Sequence, residues 1–366
     1  MYETDDRIVL TLDAGGTNFV FSALQGNNEI VAPVKLPAYA NDLNKCLQSL
    51  VDGFTKIKNQ LNKQPVAISF AFPGPADYKN GIIGNLPNFP SFRGGVALGP
   101  FLQQKFNLPV FINNDGNLFA YGEALAGALP QLNATLAKHG YNKVYKNLVG
   151  VTFGTGFGAG VVVNNQLLTG DNDCGGDVWI FRNKLYPDMI AEESVSIRAV
   201  VRVYNKLSGG INATITPEDI FHIASGSISG DKQAAVDSFA QFGEVAGDAV
   251  SHLLTFTDGI VVVGGGIANA HKYIFPSMLH EMKCKLGTFA GDKFPRLQMD
   301  IYDLTDEQQF TEFIKSKTVK VQIPDSNQFV NYNPVKQSGI LISALGTSKA
   351  VAIGAYAYAL AQLDSL

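Results

Sequence analysis

Residues 8–23, IVLTLDAGGTNFVFSA, restrict what this chain can become more than any other stretch. Residues suited to a buried strand run into Asp13, turn on Ala14, Gly15, Gly16, Thr17 and Asn18, and lead into a second apolar strand. Paired glycines at a strand tip permit positive φ and close backbone approach, so such a turn can wrap a phosphate with its N–H groups. Asp13 would repel a bare phosphate but attract the magnesium that travels with one. A plain β-hairpin turn with an acid at its lip explains this stretch equally well, and repetition decides between them.

Residues 148–170, LVGVTFGTGFGAGVVVNNQLLTG, repeat the device. A strand over 149–153 meets Gly154, Thr155 and Gly156, and an apolar strand follows. In the first copy 19–24 is followed by Gln25-Gly26-Asn27-Asn28 and Glu29-Ile30-Val31; in the second, 160–163 is followed by Asn164-Asn165 and Gln166-Leu167-Leu168. Asparagine tolerates left-handed dihedrals, so both links read as tight turns. Two such units in different halves predict two related domains facing one another, able to grip a nucleoside triphosphate from both sides. A third cluster agrees: a short buried strand over 258–263 runs into Gly264, Gly265 and Gly266 before helical character resumes. A strand entering glycines ahead of a helix start is a common nucleotide-facing turn.

This duplication needs room, and 366 residues with 46% hydrophobic and 16% charged content allow two domains with substantial cores. The net charge of -4 and pI near 5.8 argue against nucleic acid as a main partner. No apolar run is long enough to span a membrane, and MYETDDRIVL carries acids where a signal peptide carries a basic region. Cys46, Cys174 and Cys284 are too widely spaced for a disulfide framework or a metal pattern. The expected location is the cytoplasm.

The stretch Val110-Phe111-Ile112-Asn113-Asn114-Asp115-Gly116-Asn117 sets a carboxylate at a strand end, where open α/β sheets bind ligands. Flanking amides orient a hydroxyl-rich substrate without neutralising the acid. In phosphoryl transfer to an alcohol, a carboxylate accepts the hydroxyl proton as the γ-phosphate is attacked. Asp115 also suits the cap of the following helix, and the two roles are compatible.

Elsewhere, Asn41 is expected to cap a helix bearing Leu43, Leu47, Leu50, Phe54, Ile57 and Leu61, followed by a strand over 65–72. The Pro- and Asn-rich loop 84–90 is longer than a linker needs and is expected to line a site. Helices are expected near 98–106, 117–128, 190–207, after the Thr216-Pro217 cap, and around Ala235 to Leu253. The segment 131–146 reads as a surface insertion and 292–337 as a polar excursion, and 350–363 reads as a closing helix.

Taken in order, Asp13-Ala14-Gly15-Gly16-Thr17-Asn18, Pro73-Gly74-Pro75-Ala76-Asp77, Asn114-Asp115-Gly116-Asn117 with Gly122-Glu123, Gly154-Thr155-Gly156-Phe157-Gly158 and Gly264-Gly265-Gly266 resemble the ROK family of sugar kinases and sugar-responsive repressors. The resemblance implies an α/β, actin-like ATPase fold of the hexokinase and ribonuclease H type, duplicated as two domains around a cleft. It implies a smaller domain over 1–114, joined by a C-terminal helix at 347–366, and a larger one over 115–346 with an insertion near 291–338. It assigns Asp13, Gly15, Gly16, Thr17 and Asn18 to the first phosphate motif, Gly154, Thr155 and Gly156 to the second, and Gly264, Gly265 and Gly266 to the adenosine side. Asp115 matches the catalytic base and Asn114 a sugar ligand; Asn88 lies in a loop near the sugar.

Two departures stand out. Family members with zinc carry a histidine after a Gly-Glu pair and then a tight cysteine cluster. Here the region reads Gly175-Gly176-Asp177-Val178-Trp179-Ile180, with Cys174 alone nearby, so no zinc of that type is expected. Asp177 stands where the family has a sugar-binding Glu. Glu192, in Glu192-Glu193-Ser194-Val195-Ser196, resembles a second sugar-binding Glu.

The resulting expectation is an ATP-dependent hexose kinase, nearest to a glucokinase, using Mg²⁺ held near Asp13 and forming a homodimer. A catalytically impaired sugar- or nucleotide-binding relative, and a kinase for an N-acetylhexosamine or fructose, are the alternatives. A repressor would need a DNA-binding segment ahead of Asp13. An actin-like assembly protein would have no use for the Asn114-Asp115 pair.

Overall fold

The computed structural model describes residues 1–74, 76–84, 89–141, 143–210, 212, 214–315 and 318–365. Contacts divide the chain into two compact units, one comprising Met1–Pro130, Ala159–Gly176 and Ser343–Leu366, the other Gln131–Gly158 and Asp177–Ile342. The first therefore takes in 115–130 and 159–176 besides the residues of the smaller domain expected from sequence.

In the first unit the strands run in the order Asn28–Glu29, Asn18–Gln25, Val9–Ala14, Ala67–Ala71, Val110–Asn113. The first pairings are antiparallel, with Val9 opposite Leu24 and Ala14 opposite Phe19; the later ones are parallel. Gly26 and Asn27 both take positive φ, as the tight turn requires. Because side chains alternate along a strand, Phe19 and Phe21 face one way while Val20, Ser22 and Leu24 face the other. The Phe face packs on helix Leu43–Lys58, with the Phe21 and Phe54 rings 5.0 Å apart, and continues through Phe70, Phe72, Phe89 and Phe92. The opposite face meets the closing helix Thr347–Asp364 through Val9, Leu24, Ile353, Tyr356 and Leu360. That helix lies against helix Asp115–Leu125 so closely that a Cβ on Gly354 would stand 1.9 Å from the Leu118 carbonyl, and one on Gly122 2.0 Å from that of Ala350.

The second sheet runs Gln166–Leu167, Phe157–Val163, Leu148–Phe153, Ile260–Gly264, Gln337–Ile342, Asp300–Asp303. Its first five strands repeat the order of the first sheet, a hairpin followed by parallel crossovers, which is the duplication the sequence repeat implied. Asn164 and Asn165 both adopt left-handed φ at the second tight turn. Helix Lys232–Thr257 packs on helix His271–Met282, and Gly243 and Gly247 let the two backbones approach.

Several boundaries differ from expectation. The first long helix is capped by Asp42, whose carboxylate accepts the Lys45 N–H, rather than by Asn41. The helix placed at 117–128 spans Asp115–Leu125, and a further helix, Ala128–Lys138, occupies the first half of the supposed insertion. Leu129, Leu132 and Leu136 recur there at helical spacing and are buried, a pattern masked by Pro130 and the polar residues between them. The helix expected from 190 starts at Ile197, after a 3₁₀ turn at Ala191–Glu193. The polar excursion is structured: Asp300–Asp303 pairs in parallel with Gln337–Ile342, and the rest includes helix Glu307–Ile314 and hairpin Val319–Gln322 with Phe329–Tyr332. Among the described residues no helix is long and apolar enough to cross a membrane.

Candidate active site

In the first unit, Asp13 is the last residue but one of its strand and is exposed. Beyond it Gly15, Gly16 and Thr17 are exposed, and nothing lies within 4 Å of the position a Gly16 Cβ would take. Of the two properties expected of these glycines, positive φ is used by neither Gly15 nor Gly16. Their service is space: a Cβ on Gly15 would stand 2.9 Å from the Asn18 carbonyl. The turn is held by sheet pairing, since the Ala38 N–H donates to Thr17 O at 3.0 Å and Asn18 opposes Pro37.

Asp115 is the first residue of its helix, two parallel strands across the sheet from Asp13. The cap is Asn114, whose Oδ1 accepts the Gly116 N–H at 2.8 Å, so the capping role considered for Asp115 belongs to its neighbour. Asp115 keeps an open face to solvent while protein atoms crowd it on the others. That desolvation pushes its carboxyl above the ordinary value, and the negative charge of Asp13 adds to the rise. The Gly116 N–H, donating to Asp115 Oδ1 at 2.9 Å, pulls the other way. Two residues further on, Asn117 is buried with its Oδ1 unpartnered, while its Nδ2 donates to Asn113 Oδ1 at 3.0 Å. Asn88 lies outside the described residues.

Two turns beyond Asp115, the fully buried Glu123 carboxylate accepts from Ala128 N at 2.7 Å, Leu345 N at 3.1 Å, Ala344 N at 3.3 Å and the Ser343 hydroxyl. It thereby ties the end of the Asp115 helix to the start of the closing helix.

In the second unit, the turn 154–156 and the glycines 264–266 stand side by side. Gly264 is paired with Thr152, and Gly265, at φ 90°, lies against Phe153 so tightly that a Cβ would sit 2.3 Å from the Phe153 carbonyl. Gly154 and Gly266 face open space, with nothing within 4 Å of a Cβ at either. Glu192 lies beneath the turn: its Oε2 accepts the Phe157 N–H at 3.0 Å and its Oε1 the Arg198 guanidinium at 2.9 Å. Asp177 is half-buried, and desolvation raises its carboxyl while the Trp179 side chain, hydrogen-bonded to it, lowers it.

Each half of the predicted constellation thus holds together within its own unit, Asp13 with Asp115 in one and the two glycine turns in the other. Sequence reasoning missed Arg198 and left Glu123 without a role. A buried acid two turns after Asp115 was a usable signal for the second; nothing local marked the first.

Among the described residues no group of three or more His, Cys, Asp or Glu side chains could cage a metal. Asp13, an exposed carboxylate beside an open glycine turn, fits Mg²⁺, which takes one or two carboxylates together with substrate phosphates and water. The bare turns, with no Cβ to fill them, fit the phosphates themselves.

The ROK family signature matches residues 9–178. A crystal structure of a glucokinase from Parabacteroides distasonis is 56% identical, covering 98% of this chain and 99% of that one with a TM-score of 0.88. The glucokinase of Thermotoga maritima is 24% identical over 73% of this chain and 84% of its own length. A ROK family glucokinase from Streptomyces griseus, solved with glucose and AMPPNP, shares the fold at 18% identity and a TM-score of 0.58, over 96% of this chain and 98% of that one. With its order of motifs, its duplicated actin-like sheets and a 56% identical relative along nearly its whole length, the chain belongs to the ROK family.

Proposed function

We propose that the protein transfers the γ-phosphate of ATP to a hexose hydroxyl, with glucose as the first candidate and glucose 6-phosphate as product. Asp115 carries the reading. It is a carboxylate at a strand end, reachable by solvent, with its proton affinity raised toward what a general base needs, and it has amide neighbours suited to sugar hydroxyls. The likeness to a glucokinase at 56% identity supports the substrate class.

In this reading the sugar hydroxyl loses its proton to Asp115 as its oxygen attacks the γ-phosphorus in line. The new O–P bond forms while the bond to the β,γ-bridging oxygen breaks, and ADP departs with that electron pair. Asn114 and Asp177 orient the sugar. The amides of the turns at 15–18, 154–156 and 264–266 hold the nucleotide. Asp13 would hold Mg²⁺, which neutralises phosphate charge when bound. The working form proposed is a cytoplasmic homodimer.

Asp115→Asn tests this. The shape is kept and the base is lost, so turnover should fall by several orders of magnitude while AMPPNP still binds in calorimetry. Normal glucose phosphorylation by the variant would remove Asp115 from the mechanism. A sugar panel with ATP and Mg²⁺, read as ADP release, ranks glucose against mannose, fructose and the N-acetylhexosamines. No release with any of them would leave a binding protein.

A further inference from the structure

We infer that the buried side chain of Asn183 is the positioning residue that sets Glu192 for the sugar, a clamp made of hydrogen bonds where other family members carry zinc. The inference rests on the resemblance that places Glu192 beside the sugar and goes beyond it, by naming what holds that carboxylate in a chain that departs from the zinc pattern.

Residues 175–196 contain neither His nor Cys, the ligands on which structural zinc sites are built, so a zinc clamp of the family's kind does not fit this segment. The chain still has to return Glu192 from the loop that follows Asp177. It does so by closing 183–190 on itself. The Asn183 N–H donates to Met189 O at 2.9 Å, the Ala191 N–H donates to Phe181 O at 2.7 Å, and Arg182 forms an antiparallel bridge with Ile190.

The Asn183 side chain is fully buried at the neck of this loop. Its Oδ1 accepts the Leu185 N–H at 3.0 Å and the Tyr186 N–H at 3.1 Å. Its Nδ2 donates to Ile190 O at 3.2 Å and to the Ser194 hydroxyl at 2.8 Å. An asparagine amide offers two donors and an acceptor with two lone pairs, so every capacity it has is met. Its orientation is fixed as well, because the two backbone N–H groups can only donate and the Ile190 carbonyl can only accept. Ile190 and Ser194 stand two residues before and two after Glu192 and flank the 3₁₀ turn Ala191–Glu193. One amide group therefore pins both ends of the turn that carries the acid, and a fully satisfied buried polar group rigidifies what it joins. Beside it, Lys184 ties the loop to helices Lys232–Thr257 and His271–Met282 through Glu244 and Glu281. The Glu192 carboxylate accepts one bond at each oxygen among the described residues, from the Phe157 N–H and from Arg198. Each oxygen can take two, which leaves capacity for sugar hydroxyls.

The test measures glucose affinity by calorimetry without nucleotide, and KM for glucose and for ATP separately, in Asn183→Asp, Asn183→Ala and Ser194→Ala. Asn183→Asp keeps the shape and the acceptor but loses both donors. Ser194→Ala leaves Asn183 in place and removes one of its two grips, so it carries the test where the Asn183 variants do not fold. Positioning predicts that both Asn183 variants bind glucose about tenfold more weakly and Ser194→Ala about threefold, each with KM for ATP within about twofold. Lowered melting temperatures with KM for glucose unchanged, in Ser194→Ala and in any Asn183 variant that folds, would make the amide a structural brace alone and overturn the inference. Wild-type glucose affinity should not respond to 1,10-phenanthroline; a loss on chelation equal to that in Asn183→Asp would put a metal at the clamp and overturn it too. Glu192→Gln tests the underlying reading separately. Unchanged glucose affinity there would remove Glu192 from the sugar and leave the clamp nothing to aim, whereas weakened affinity there with wild-type behaviour in the other variants would overturn the clamp alone.

Discussion

Gly354→Ala should damage both stability and turnover although it adds one methyl group far from any ligand. The new Cβ would stand 1.9 Å from the Leu118 carbonyl, and at the neighbouring crossing a Gly122 Cβ would stand 2.0 Å from the Ala350 carbonyl. Such contacts are essentially never closer than 3.0 Å, so the two helices must part by about 1 Å. The obstacle in each case is backbone, which cannot rotate away. Overpacking of this kind costs about 1–3 kcal/mol, and separating the helices also loosens the packing of Leu118 against Ala355. Alanine returns up to about 1 kcal/mol of helix propensity, so we expect a net loss near 2 kcal/mol. At roughly 2–4 °C per kcal/mol, the melting temperature should fall by about 4–8 °C. Turnover should fall further than stability suggests. Asp115 heads the helix that is displaced, and a misplacement of about 1 Å can cost on the order of 100-fold. Calorimetric melting and steady-state ADP release measure the two effects. Gly210→Ala, with nothing within 4 Å of its Cβ, is the control and should change neither. A Gly354→Ala protein that melts and turns over like wild type would show that the helices do not touch as described and that Asp115 does not depend on their contact.

Other perturbations have equally definite outcomes. Desolvation holds the Asp115 carboxyl above its unfolded value, so its contribution to stability declines as pH rises from the unfolded pKa through the folded one. Asp115→Asn should therefore melt above wild type at pH 8, with the advantage gone below about pH 4 in a melting series. Glu123→Ala strands Ala128 N, Ala344 N, Leu345 N and the Ser343 hydroxyl, each at a cost of about 1–3 kcal/mol; the urea midpoint should drop sharply, with Glu123→Gln between it and wild type. Glu281→Ala removes one of two carboxylate partners from each of Arg296 and Lys184, which keep Asp248 and Glu244, so the urea midpoint should fall by less than in Glu123→Ala. Burial pushes the Cys46 thiol up to about 12, so a thiol reagent at pH 8 should modify exposed Cys174 promptly and Cys46 only on unfolding.

The glycine turns, the strands leading into them and the acid at 115 were legible because their signals are local. A run of β-formers ending at Gly, or Asn-Asp after a strand, carries its meaning within a few residues. The duplication was legible for the same reason, since the Asn164-Asn165 turn copies the Gly26-Asn27 turn in register. What stayed hidden depends on residues distant in sequence. Helix Ala128–Lys138 was lost because its Leu129, Leu132 and Leu136 face a core that the segment alone does not reveal. Strand Asp300–Asp303 was lost because its character comes from pairing with Gln337–Ile342, more than thirty residues on. Of the two properties expected of the first glycine turn, close approach and positive φ, only the first applies at Gly15, where the Asn18 carbonyl is the constraint.

The two copies of the turn differ most in what stands behind them. The first is held by its own sheet: the strand Val34–Pro37 pairs alongside, and Ala38 N–H takes Thr17 O. Such support is continuous with the fold and tolerates any sequence that keeps the strand. Among the described residues no strand flanks the second on that side of the turn. Glu192, Ile197 and Arg198 supply the missing hydrogen bonds from a helix start about forty residues later. A backbone pairing is nearly independent of side-chain identity, whereas an arginine–carboxylate fork is specific to it and is weakened by salt. Raising ionic strength should therefore loosen the second turn before the first. Hydrogen exchange at the Phe157 N–H should then depend less on salt in Arg198→Met than in the wild type, because the salt-sensitive link has already been removed. An equal salt dependence in the two proteins would mean that the Glu192–Arg198 pair contributes nothing to how the turn is held.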